Sequence, residues 1–294
     1  MIFQEYRIVL RGLPTAPGHE RKRNPVMGIY VVVANQFVGF ARHGHVMSYS
    51  ALLQALKEQG NPGMKGRSFI AGQGLGRKEI QHAYNLAVAN GFADEFEHWL
   101  LWSTEERAGQ ELSHKRQHKN VLISVPEQSD EGIYTSSLLI HAENELMLDH
   151  LTGQHVQGMV LLEACRQMFL AVTERFHLEG YEPQNRYFVL NEMNVKYTAF
   201  AFPLPAQIRY RLLERDQPRA DRVDVWAEME VWQAEKPVTG VEVRFTVMDG
   251  ERLGAREASL ASRALSHHVN SLRRHLQMAS HSDAQAMTEP ISAC

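Results

Sequence analysis

Apolar and polar residues alternate with period two through VDVWAEMEVW (223–232), the pattern of a strand with one face buried. The same rhythm recurs around it and predicts strands over 187–200, 207–215, 222–235, 238–250 and 254–263. Two more strands are expected earlier, NVLISVP (120–126) and IYTSSLLIH (133–141), separated by the turn-rich SDEG. Between these groups the apolar positions become nearly continuous from about 155 to 176, which predicts a helix buried almost all round.

Two strands, one apolar helix and about five strands is the order of a hotdog fold, an antiparallel sheet wrapped around a central helix. The first 110 residues have a different texture. Strands are expected at YRIVL (6–10) and GIYVVVANQFVGFA (28–41), with a Pro-rich loop between them. Helices are expected at 48–60, 76–92 and 93–103, with Gly60 and Gly91 placed as stops. Tyr84, Trp99 and Trp102 fall on helical faces as core residues. The chain therefore reads as α+β, with a separate N-terminal α/β region (1–110), a hotdog domain (111–265) and a polar tail (266–294). In that tail SHHVNSLRRHLQMAS predicts a short basic amphipathic helix, and the small polar remainder a mobile end.

Composition narrows the function classes. Hydrophobic residues make up 44% and charged residues 22%, as in a globular chain. The formal net charge of −3 gives no basic footprint for nucleic acid. Cys165 and Cys294 are the only cysteines, which rules out a disulfide framework and suits a reducing cytoplasm. MIFQEYRIVLRG lacks the order of a signal peptide, and no apolar run approaches the roughly 20 residues of a membrane span. The 15 histidines show no HExxH or CxxC spacing, so no metal is expected.

The polar residues within the central helix carry the chemistry. DHLTGQHVQGMVLLEACRQ (149–167) sets Glu163, Arg166 and Gln167 among apolar neighbours. A charge buried without a partner is costly, so each needs a reason. Glu163 and Arg166 are three apart and share a face, which permits a structural ion pair. Buried pairs are poor stabilisers, which favours a functional reading. Gly158 opens the helix, where its N–H has no intrahelical acceptor and could polarise a thioester carbonyl. Asp149, His150 and His155 precede it, and histidine has the intrinsic pKa of an acid or base near neutrality. A satisfied loop histidine is the plainer alternative for either ring.

LMLDHLTGQHVQGMVLLEACRQM resembles the second hotdog repeat of the AfsA-like, A-factor (γ-butyrolactone) biosynthesis proteins. The preceding KRQHKNVLIS (115–124) resembles the segment that opens such a repeat. A weaker similarity links the helix to β-hydroxyacyl-carrier-protein dehydratases, whose catalytic acid stands five residues after a glycine, as Glu163 follows Gly158. The resemblance implies transfer of a β-ketoacyl group from acyl carrier protein, or CoA, to the hydroxyl of dihydroxyacetone phosphate or a similar small acceptor. It makes Glu163 the general acid/base and Arg166 its holder or an anion ligand. His150 and His155 would assist catalysis, while Gly158, Asp149 and Gln167 would bind substrate, with no tightly bound cofactor. Dehydration, thioester hydrolysis and a non-catalytic acyl-binding or scaffold role are the alternatives. AfsA-like proteins carry two repeats, and no first repeat is visible in 1–110. A lone hotdog is therefore expected to pair as a homodimer. Two segments stand apart: AGQGLGRKE (71–79), a flexible turn or a weak phosphate site, and HKRQHK (114–119), a solvated linker or a grip for an acidic carrier protein.

Overall fold

The computed structural model describes residues 28–58, 61–100, 106–129, 132–148, 153–181 and 185–286. The expected strand 6–10, Trp102, Asp149 and His150 lie outside these residues. The N-terminal unit contains β1 (Gly28–Val33), β2 (Val46–Ser48), α1 (Tyr49–Lys57), β3 (Arg67–Ala71) and α2 (Arg77–Ala89). Its three strands are parallel in the order β2-β1-β3. Their Val32, Val33 and Phe69 are buried with Leu52 and Leu56 of α1 and Ala83 and Ala87 of α2. Parallel strands need such helical cover.

Two expectations are corrected here. The strand predicted over 28–41 ends at Val33 and gives way to short 3-10 turns. The helix predicted over 93–103 is, within its described part, a single 3-10 turn at Asp94–Phe96 followed by turns. Trp99 is still core, fully enclosed, with its indole N–H donating to the Ile80 carbonyl.

The second unit follows with α3 (Gln110–Ser113), β4 (Glu127–Gln128), β5 (Ile133–Ser137), α4 (Gly158–Val172), β6 (Arg186–Tyr197), β7 (Gln207–Arg219), β8 (Arg222–Gln233), β9 (Lys236–Asp249) and α5 (Gly250–Ala286). Six strands form an antiparallel sheet in the order β4-β5-β7-β8-β9-β6, the hotdog architecture expected. α4 packs on β6 to β9. It buries Val160, Leu161, Ala164, Cys165, Met168 and Phe169, with Phe169 stacked on Phe245 of β9 at 4.5 Å. The central helix is shorter than predicted, and Thr173–His177 continues it as a π-helical turn.

Three further corrections concern this unit. NVLISVP forms isolated bridges at Ile123 and Ser124 rather than a continuous strand. Four strands, not five, follow α4. GAREASLASR (254–263), read as the fifth, is helical and belongs to α5, a 37-residue helix that runs across the expected boundary at 265/266. Among the described residues no helix is long and apolar enough to cross a membrane.

The two units share one contiguous core. Gln73 stitches the seam: its amide donates to the Leu138 carbonyl at 2.6 Å and its oxygen accepts from the Ile140 N–H at 2.8 Å. AGQGLGRKE is therefore no free flexible turn. Gly74 sits at φ +90°, and a Cβ there would lie 2.5 Å from that of Ala34. Only glycine lets the two backbones approach this closely.

Candidate active site on the central helix

α4 starts without a side-chain cap, its N-cap Gln157 being extended. The Gly158 and Met159 amides thus have no acceptor within the helix, while the Val160 N–H donates to the Gln157 carbonyl at 3.1 Å. A Cβ on Gly158 would lie 2.7 to 2.9 Å from the Tyr197 ring, whose hydroxyl donates to the Gly158 carbonyl at 3.0 Å. A side chain at 158 would thus displace the half-exposed Tyr197 ring, and glycine is suited to close approach of a ligand. Tyr197, at the end of β6, was not foreseen; nothing in a period-two strand pattern marks a residue that will cover a helix start.

His155 precedes this turn, half-buried, with its ring 4.9 Å from that of Phe200. The Gln157 side chain donates to the Leu146 carbonyl. Leu146, Met159, Tyr197 and Phe200, all tied to this region, leave much apolar surface exposed. Exposed apolar area of this kind marks an interaction or ligand surface.

Five residues after Gly158, Glu163 is held by three side chains. Its Oε1 accepts from Lys115 Nζ at 2.9 Å, Arg166 Nη2 at 3.0 Å and Gln167 Nε2 at 3.0 Å. Its Oε2 accepts from Arg166 Nε at 2.7 Å, the one bond it receives among the described residues. Burial by itself would raise the Glu163 pKa, but the bonds from Arg166, Lys115 and Gln167 outweigh it and hold the carboxyl below its usual range. The group is ionised at neutral pH and accepts rather than donates hydrogen bonds. Gln167 is fully enclosed, with its oxygen accepting from the Leu122 N–H and its nitrogen also donating to the Asn120 carbonyl. It acts here as a strut between Glu163 and the 120–122 backbone.

Lys115 arrives because α3 ends on His114 in the left-handed conformation, φ 53°. That turn lays HKRQHK along the central helix. His114 pairs with Glu174 at 3.3 Å, and Glu174 also binds Arg186 of β6. Two adjacent residues of the basic run thus engage two acids about three turns apart. The first half of HKRQHK is a clamp on the helix. Its signal in the sequence was acids at positions 163 and 174 facing an adjacent basic pair, legible only once the segments are known to pack.

The two clearest concavities, about 580 and 310 Å³, lie on the sheet: one beside Ser124, Thr135 and Arg175, the other over β6, β8 and β9. Gly158, Glu163 and Arg166 line neither. The Glu163 and Arg166 side chains are 17% and 31% exposed, so the cluster is only partly open to solvent.

Residues 102–249 match the model of the A-factor biosynthesis hotdog domain, AfsA. None of the curated proteins matches the chain. Among solved structures, a conserved protein from Pseudomonas aeruginosa is similar at 20% identity, with 42% of this chain and 86% of that one covered and a TM-score of 0.30. A mutant thioesterase from Staphylococcus aureus is similar at 11% identity over 43% of this chain and 93% of its own, with a TM-score of 0.32. The PaaI protein of the phenylacetic acid degradation operon of E. coli is similar at 12% identity over 41% and 79%, with a TM-score of 0.31.

Proposed function

The chain belongs to the AfsA hotdog family through residues 102–249, and we propose that it acts on acyl thioesters at the start of α4. In this reading it transfers a (β-keto)acyl group from acyl carrier protein or CoA to a small hydroxyl acceptor, without a bound cofactor. The observation that carries the proposal is the polar cluster of Glu163, Arg166, Gln167 and Lys115 on an otherwise apolar buried helix. It stands about one and a half turns beyond the amides of Gly158 and Met159, which have no side-chain cap.

The chemistry then follows. The thioester carbonyl lies at the helix start, where the Gly158 and Met159 amides stabilise the oxyanion. The acceptor hydroxyl attacks, its proton passing to a base, for which Glu163 Oε2 and His155 are the described candidates. A C–O bond forms, the C–S bond breaks, and the departing thiolate takes up the proton. Arg166 keeps Glu163 anionic. His150 and Asp149 would act beside His155, and the exposed Met159, Tyr197 and Phe200 would flank the acyl or pantetheine chain.

The sheet edge offers a place for a second copy. β6 is an edge strand of 12 residues, pairing on one side only with β9, and it carries the exposed Tyr187 and Leu190. An unpaired edge of that length invites a partner strand. We place a homodimer there, in the cytoplasm. The second reading, a non-catalytic acyl-binding hotdog, draws on the saturation of Glu163 Oε1.

Product identity separates these readings. The protein is incubated with acyl-carrier-protein and CoA thioesters, with and without a phosphorylated three-carbon hydroxyl acceptor, and products are read by mass spectrometry. Acylated acceptor is expected. Free acid alone would indicate a thioesterase, an unsaturated or hydrated chain a dehydratase, and binding without turnover the non-catalytic reading.

A further inference from the structure

α5 is a long helix whose side chains, as far as Leu276, are left almost uncovered by the other described residues. Its 37 residues rise about 55 Å. Within the body it packs on β9 and β6. Leu265, Leu272 and Leu276 are 64%, 47% and 70% exposed. With the half-buried Val269 they recur at spacings of four, three and four, the seam of a coiled coil. The seam is narrow, unlike the broad apolar face of a helix that lies in a bilayer surface.

Charge decides what fits against it. From Ala258 to Ser282 there is no Asp or Glu, but there are Arg263, Arg273 and Arg274 and four histidines. The positions bordering the seam are Ser266 and Arg273 on one side and His268 and His275 on the other. Two copies of α5 paired in either direction would bring no acid opposite Arg273. A partner with acidic borders would be matched instead.

We propose that α5 is a docking arm for an acidic amphipathic helix of another protein, seated on Leu265, Val269, Leu272 and Leu276. The arm starts where the Gly250 N–H donates to Asn185, next to the first residue of β6. Gly158 packs at Tyr197, the opposite end of that strand, roughly 35 Å away.

The test uses the full chain and two labelled synthetic peptides of four heptads, both with leucine seams, one bordered by Glu and the other by Lys. In fluorescence anisotropy at physiological salt the Glu peptide binds at least about tenfold tighter than the Lys peptide. The Leu272→Gln/Leu276→Gln double variant loses that binding, and Arg273→Glu narrows the difference between the peptides. Equal affinity, or no binding of the Glu peptide, overturns the proposal. Two rival outcomes also overturn it: reversible self-association by sedimentation that the leucine variant abolishes, and leucine-dependent binding to phosphatidylserine vesicles. Since the leucines are exposed, circular dichroism of the double variant is expected to match the parent.

Discussion

Three histidines tie stability to pH. His118, His141 and His177 all lie below the ordinary value of 6.5, burial being the largest cause in each. His177 is the clearest: its ring meets Tyr134 edge-on at 5.1 Å, and its Nε2 is buried without a partner among the described residues. A group whose folded pKa is depressed favours folding above its unfolded pKa. That contribution is lost as pH falls through the folded value. The melting temperature should therefore fall on acidification below about 6.5, and His177→Phe should flatten that fall. An unchanged pH profile in the variant would remove His177 from the account. At this scale much was legible. Glu163, Arg166 and Gln167 were singled out as charge and amide within an apolar helix, and they do form one cluster. Lys115 and Tyr197 were not, because each reaches the helix from a segment distant in sequence.

The elements explain where pattern reading fails. Period two found β6 to β9 because alternate residues turn toward the core, most completely in β8, which buries them along nearly its whole length, and least in β6, which buries none fully. It failed at 254–263, where no face is buried and alternation carries no information. Ala, Arg, Glu and Leu there are strong helix formers, and propensity decides an exposed element. The hairpin between β8 and β9 offers a test of local strain. Its two turn residues, Ala234 and Glu235, sit at φ 47° and 64°. Both angles favour Asn and Gly, the pair preferred in this turn type. Ala234→Asn with Glu235→Gly should stabilise the protein by about 1–2 kcal/mol, read as a higher denaturant midpoint at unchanged slope. No shift in midpoint would show that the turn is unstrained.

The whole molecule behaves as two units on one core. The division into an α/β region and a hotdog was legible from the change in periodicity. The seam was not, because it depends on Gln73, a single polar residue in a glycine-rich run. Gln73→Leu would strand the Leu138 carbonyl and the Ile140 N–H, at a cost of about 2–4 kcal/mol. Because the core is continuous, the loss should appear in one transition, with tryptophan fluorescence and far-ultraviolet circular dichroism coinciding. Two separated transitions would contradict a shared core. At the other edge, sedimentation equilibrium should find a dimer that Leu190→Asp weakens, while a monomer at micromolar concentration would refute assembly through β6.

The central claim is that the Glu163 cluster performs thioester chemistry. Removing the charge while keeping the shape isolates it. In Glu163→Gln, Lys115 and Arg166 lose their counter-charge, which costs roughly 1–3 kcal/mol of stability, so folding is first checked by circular dichroism. The decisive measurement is then the turnover of an acyl thioester by the folded variant, compared with the parent protein. A fall of about 10²–10⁴-fold in kcat is expected for loss of a general base. Turnover at the parent rate would contradict the assignment of Glu163.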